Sequence, residues 1–192
     1  MKLIAVVEGH GEVEAVPVLL RRFADQSSVP VDIGRPIRVP RGRLVKEHEL
    51  RRAIALAALQ AGANGAILVL LDADQDCPAR LGPELLAWAR AERADRRIAV
   101  VVARQEFEAW FVAAAASLVR AGRLQSADAV PMDPESLRDP KGWLSERLGR
   151  RYSETTDQPR FAALFDLAAA RQCASFDKFE RDVALLLVDQ AR

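Results

Sequence analysis

The sequence predicts an α/β fold, with a mostly parallel central sheet flanked by helices and a helical C-terminal part. Three observations predict it. Short uncharged runs with β-branched residues, Leu3 to Val7, Ala66 to Leu71 and Ile98 to Ala103, have the length and composition of strands buried on both faces. Segments of helical periodicity separate these runs, and strands alternating with helices make βαβ units. Each run also ends in acids: Glu8 after the first, Asp72, Asp74 and Asp76 after the second, Glu106 and Glu108 after the third. Ligands of open α/β sheets bind at the carboxyl ends of the strands, so these acids mark the candidate site.

In chain order, Lys2 to Val7 is the first strand, broken by Gly9 and Gly11. From Glu12 the apolar residues Val13, Val16, Leu19, Leu20 and Phe23 recur at helical spacing to about Ala24, with Pro17 tolerable if the helix starts a few residues earlier. Val31 to Val39 alternates loosely, and Pro36 demotes it to an edge or bulged strand. Arg35, Arg38, Arg41, Arg43 and Lys46 form the densest basic cluster, in a loop around Gly42 that suits either phosphate tracking or plain solvation. Glu47 to Ala61 reads as a helix stopped by Gly62 and feeding the central strand. A loop with Pro78 precedes a helix from Gly82 or Pro83 to Arg93, then comes the third strand, then an Ala-rich helix from Glu108 to Ala121. Ala129 to Pro140 reads as a connecting loop. Lys141 to Leu148, Pro159 to Ala170 and Ser175 to Asp189 are the C-terminal helices, the last capped by Ser175 or Asp177.

At 192 residues the chain suits one well-buried domain: an α/β core over residues 1–125 and a helical extension, 126–192, packed on it. Lys plus Arg total 28 against 27 for Asp plus Glu, and the net charge of +1 neither demands nor excludes a nucleic-acid partner. Cys77 and Cys173 lie far apart and fit neither a disulfide framework nor a zinc ligand set, so a reducing cytoplasm is the expected location. No run approaches the roughly 20 apolar residues of a membrane span, and the first residues lack the apolar core of a signal peptide.

Three strands ending in carboxylates gather Glu8, Asp72, Asp74 and Glu106 or Glu108 in a small volume. Crowded carboxylates raise one another's pKa unless a cation is present, and a hard divalent ion removes the conflict. Magnesium, with manganese as a substitute, suits an open site of two or three carboxylates that leaves room for water. Such a site polarises a phosphoryl oxygen and activates water. Asp72 and Asp74 point to the same side, and can share the ion, only if the extended geometry of the strand persists through them.

Glu8-Gly9 after the first strand and Asp72-Ala73-Asp74 after a later one resemble the two signatures of the Toprim fold of topoisomerases, primases and nucleases. The fuller match is to the domain-of-unknown-function 4276 family, a small Toprim-like group. Its features resemble VEGHGEVEAVP at Val7 to Pro17, DADQDC at Asp72 to Cys77, EFEAWF at Glu106 to Phe111, DPK at Asp139 to Lys141 and SFDKF at Ser175 to Phe179. The larger Toprim nucleases of the overcoming-lysogenization-defect type are similar, with acids resembling Glu12 and Glu106 or Glu108 at a second ion. The resemblance implies a Toprim- or Rossmann-like sheet and a magnesium site around Glu8, Asp72 and Asp74. It also implies metal-dependent phosphodiester hydrolysis on nucleic acid, with a partner ATPase as a candidate activator.

Each residue also has a plainer reading. Asp74 or Asp76 suits a cap for the turn before Pro78, and Glu12 suits the first turn of a helix as well as a metal. Lys141 is either a phosphate ligand beside the metal or an exposed lysine before a helix, and His10 either contacts substrate or is a loop residue. Trp110 and Phe111 read as core. Tyr152, the sole tyrosine, lies in a polar loop and makes a poor topoisomerase nucleophile. Two other function classes remain at this point: a non-catalytic metal- or partner-binding adaptor, and a phosphoryl-transfer enzyme with Asp72 as nucleophile.

Overall fold

The computed structural model describes residues 1–188. Five strands form one sheet: β1 (Lys2–Val7), β2 (Asp32–Ile33), β3 (Ile37–Arg38), β4 (Ala66–Asp72) and β5 (Arg97–Ala103). The order is β2-β1-β4-β5, with β3 also on β1, and every pairing is parallel. The α/β expectation therefore holds. From β1 the chain first builds β2 and β3 on one side and then crosses to β4 on the other, so the order reverses beside β1. The carboxyl ends of β1 and β4 flank that reversal, where such sheets leave a crevice.

Alternate strand residues feed two cores, as the period of two requires. Leu3, Ala5, Val7, Leu68, Leu70 and Val101 face one side, with α1 (His10–Ser27), α5 (Ala109–Ala113), α6 (Ala115–Arg120), α8 (Glu154–Ala162) and α10 (Ala174–Leu187). Ile4, Val6, Ile67, Val69, Leu71, Val100 and Val102 face the other, with α3 (Glu47–Ala61) and α4 (Pro78–Glu92). All seven residues of β4 are buried, which explains its unbroken apolar run. Trp110 and Phe111 are fully buried, and Trp110 meets Phe176 and Phe179 at centroid distances of 5.1 and 5.2 Å. Such aromatic pairs add about 0.5–1.5 kcal/mol each beyond the area they bury.

Several boundaries differ from the sequence expectation. The first helix starts at His10, two residues before Glu12, and Pro17 lies well inside it. Pro17 forgoes a helical hydrogen bond there, and the helix continues because Val16, Leu19, Leu20 and Phe23 are buried against the sheet and the C-terminal helices. The stretch around Pro36 splits into β2 and β3. The basic loop is a short helix, α2 (Arg41–Leu44). Pro78 opens α4 at its first position, where a missing N–H costs nothing, so that helix starts four residues before Gly82.

The Ala-rich helix breaks at Ala114, and side chains use the carbonyls there: Gln172 donates to Ala113 O at 3.2 Å and Ser117 Oγ to Ala114 O at 2.6 Å. The C-terminal part contains α7 (Pro140–Leu148), α8, α9 (Leu167–Ala170) and α10, after a 3-10 turn at Pro134–Ser136. The expected Pro159–Ala170 helix is thus two, and Pro159 lies inside α8. Neither Ser175 nor Asp177 caps α10, whose cap residue is Cys173. The Ser175 N–H and hydroxyl donate instead to the buried Glu135, which places a carboxylate at the positive end of that helix. Asp189, the expected end of the last helix, lies outside the described residues. Tyr152 is a core residue rather than part of a solvated loop. No helix among the described residues is long and apolar enough to cross a membrane.

Candidate metal centre

Glu8 follows the last residue of β1, and Asp72 is the last residue of β4. Val7 pairs with Leu70, so the two acids leave neighbouring strands at almost the same level. Their link is direct: the Asp72 N–H donates to Glu8 Oε1 at 3.3 Å. Glu12 joins them from the first turn of α1, held back toward Gly9 by accepting its N–H at 2.5 Å. Glu8, Glu12 and Asp72 each offer an oxygen, and the three oxygens lie within 4.8 Å of one another.

Beside this trio lies a cavity of about 250 Å3, lined further by Arg41, Glu108, Lys141 and Glu154. Glu108 is buried at the start of α5, and Gln158 Nε2 donates to its Oε1 at 3.1 Å. Lys141 stands 2.9 Å from Glu154, 3.5 Å from Glu106 and 3.8 Å from Glu108. Two cations therefore face a wall of carboxylates.

The electrostatics follow from that imbalance. Burial pushes the Asp72 carboxyl well above the usual aspartate range; the charges of Glu12, Glu108 and Glu8 act in the same direction, and Lys141 opposes them. Burial pushes Glu12 up to about 8, opposed by the Gly9 N–H and reinforced by Glu8, Glu108 and Glu154. Glu108 rises to about 7, again mainly by burial and despite Lys141. Glu8 moves up as well, by burial first. Burial works against the Lys141 ammonium, but Glu108, Glu154 and Glu106 outweigh it and hold its pKa above the usual lysine value.

The donor set fits a hard divalent cation. Oε2 of Glu8 and Oε2 of Glu108 are buried and accept no hydrogen bond among the described residues, a cost that a cation would remove. Magnesium–oxygen distances of about 2.1 Å put adjacent ligands about 3.0 Å and opposite ligands about 4.2 Å apart, and the three oxygens already lie within 4.8 Å of one another.

Not every acid read from the sequence joins this trio. The strand geometry ends at Asp72, and Asp74 takes a left-handed conformation at φ 50°. The condition for Asp72 and Asp74 to share one side is therefore unmet. Asp74 pairs with Arg41 Nε at 3.1 Å, and Asp76 with Arg41 Nη2. Glu106 reaches the centre only through Lys141.

Of the basic cluster, Arg41 lines the cavity and Arg43 is tied to Glu49 at 2.7 Å. Arg35, Arg38 and Lys46 are exposed, Arg38 donating to Glu8 O at 3.2 Å. His10 is exposed at the start of α1.

A model of the family described as Domain of unknown function (DUF4276) matches residues 7–184, from the end of β1 to the last turns of α10. The chain belongs to this family. The match spans all the elements that carry the carboxylates of this DUF4276 chain. No curated protein and no solved structure matches it.

Sequence reasoning missed Glu154 and Gln158, which reach the centre on α8. The available signal was Gly11. A Cβ there would lie 2.3 Å from Gln158 Oε1 and 2.6 Å from the Glu154 carbonyl oxygen, so only glycine lets α8 approach α1 so closely. Gly11→Ala is expected to cost about 1–3 kcal/mol in urea denaturation, the usual price of overpacking. The control is Gly42→Ala, where an added Cβ meets nothing within 4 Å; it should lose no stability.

Proposed function

We propose that this protein hydrolyses phosphodiester bonds in nucleic acid with a divalent cation, magnesium or manganese, held by Glu8, Glu12 and Asp72. The observation that carries the reading is the meeting of these three carboxylates at the reversal point of a parallel sheet, beside a cavity with unpaired acid oxygens. The Toprim-like sequence of Glu8-Gly9 and Asp72-Ala73-Asp74 supports the same reading.

A bound divalent ion would supply charge stabilisation at a phosphoryl oxygen and a lowered pKa for water. The chain's own groups do the rest. Glu108, poised by burial at about 7, accepts the proton of the attacking water. Gln158 fixes the orientation of that carboxyl, and Lys141 balances its charge once ionised. The exposed Arg35, Arg38 and Lys46 are available to backbone phosphates, Arg38 nearest the centre through its bond to Glu8 O. Asp72 is a poor covalent nucleophile, because it is buried, its carboxyl is pushed above the usual aspartate range by that burial, and it is engaged by the Phe107 N–H at 2.8 Å.

The test is cleavage of plasmid, linear and single-stranded DNA and of RNA with Mg2+ or Mn2+, run beside Glu108→Gln. Wild type is expected to cleave only with the ion. The variant should bind the ion and lose roughly 100-fold or more in rate. Ion binding without cleavage of any substrate would favour an adaptor, or a nuclease activated by a partner ATPase. No ion binding would overturn the reading.

A further inference from the structure

The loop after β4 carries two acids that sequence reasoning assigns to metal, and the structure gives both to one guanidinium. Arg41 opens α2, and its Nε donates to Asp72 O at 3.0 Å while its Nη2 donates to Ala73 O at 2.8 Å. The same two nitrogens pair with Asp74 and Asp76. Two backbone carbonyls and two carboxylates thus fix one planar group in a single orientation, a task suited to the arginine fork and not to lysine. Arg41 is also a wall of the cavity that holds Glu8, Glu12 and Asp72. Its Nη1 has no acceptor among the described residues. The other cation of the cavity, Lys141, is enclosed by Glu106, Glu108 and Glu154.

The trio of Glu8, Glu12 and Asp72 is the one group of three metal-ligating side chains found among the described residues. A second ion would have to recruit Asp74, whose Oδ2 is already 3.1 Å from Arg41, and would sit beside a fixed positive charge. We propose that the centre takes a single divalent ion and that Arg41 serves as its built-in second cation, withholding Asp74 and Asp76 from metal and offering Nη1 to a non-bridging oxygen of the substrate phosphate. This rests on the reading of Glu8, Glu12 and Asp72 as a divalent site. It makes Arg41 a positioning residue for the loop and a phosphate ligand for the substrate, whereas Arg43, two residues on, is spent on Glu49.

The experiment counts Mn2+ ions by calorimetry and by electron paramagnetic resonance, without any nucleic acid. Wild type should bind one ion per chain and show an uncoupled Mn2+ spectrum. Arg41→Ala frees Asp74 beside the unpaired oxygen of Glu8, and should bind two ions with a spin-coupled signal. Adding Asp74→Asn to that variant should restore one. If Arg41→Ala fails to fold by circular dichroism, Arg41→Gln, which keeps a donor for the loop carbonyls, takes its place with the same expectation. Two ions in wild type would overturn the inference and leave the metal centre standing. One ion in both wild type and the Arg41 variant would do the same. No ion in wild type would remove the centre and the inference together.

Discussion

Asp72→Asn is expected to raise the melting temperature of the metal-free protein at pH 8 while abolishing its response to Mn2+. Asparagine keeps an oxygen for the Phe107 N–H, now 2.8 Å from Asp72 Oδ1, so the local fold survives. It removes a carboxyl that is 7 % exposed and crowded by Glu8, Glu12 and Glu108. Burial and the neighbouring acids make Asp72 harder to ionise in the folded chain than in the unfolded one, so the wild type loses stability as the pH rises that the variant keeps. A gain of about 1–3 kcal/mol is the scale for relieving a buried unpaired charge. For a chain of this length that raises the melting temperature by several degrees. The same change deletes one of three ligands, and nucleic-acid cleavage should fall below detection. Asp74→Asn, exposed and outside the trio, should keep the Mn2+ response. Differential scanning fluorimetry with and without Mn2+ reads both variants. An Asp72→Asn protein that melts lower than wild type without metal, or is still stabilised by Mn2+, would refute the crowded-carboxylate account.

The second large effect is on the pH dependence of the wild type. Glu12 rises from 4.5 to about 8 and Glu108 from 4.5 to about 7, and Asp72 and Glu8 also move up. A carboxyl whose folded pKa is raised contributes full stability below its unfolded value and loses it as pH climbs toward the folded value. Each such group costs about 1.4 kcal/mol per pH unit within that window. The metal-free protein should therefore lose stability steadily from about pH 5 to about pH 8. The fall in melting temperature should be on the order of 10 °C. The carboxyls with lowered values, such as Asp95 at about 2 and Asp157 beside Arg150, change charge below this window and do not mask it. Saturating Mg2+ or Mn2+ should flatten the curve, since a ligand bound only by the folded state adds about 2.7 kcal/mol at a hundredfold excess over its Kd. Thermal melts across that pH range with and without the ion decide the matter. A flat metal-free profile would count against the raised carboxyls.

The buried strands were the legible part of this sequence. Composition alone located β4 to within a residue, because a strand buried on both faces leaves no room for polar alternation. The acids at strand ends were legible for the same reason: Glu8 and Asp72 mark where the apolar runs stop. Asp74 was not, because a period of two holds only while the backbone stays extended, and a left-handed residue re-aims the chain without any change of composition. The role of Arg41 was hidden for a different reason. A basic residue in a charged stretch looks solvated until the β4 loop is seen to bring Asp74 and Asp76 to it. Glu154 and Gln158 depend on the packing of α8 on α1, a contact between distant parts of the chain that no local periodicity encodes.

That contact has a consequence for the order in which the protein matures on the ribosome. Arg22 on α1 donates at 2.8 Å to carbonyls of Ala162 and Phe165, across a sequence separation of 140 residues for the first. Closing so long a loop is slow compared with forming β1, α1 and β4, which are complete once the first half of the chain has emerged. A nascent chain therefore carries Glu8, Glu12 and Asp72 for some time before Lys141, Glu154 and Gln158 can complete the cavity. The earliest stage of synthesis thus holds the Glu8, Glu12 and Asp72 side of the cavity, and the wall formed by Lys141, Glu154 and Gln158 is added only when α8 docks.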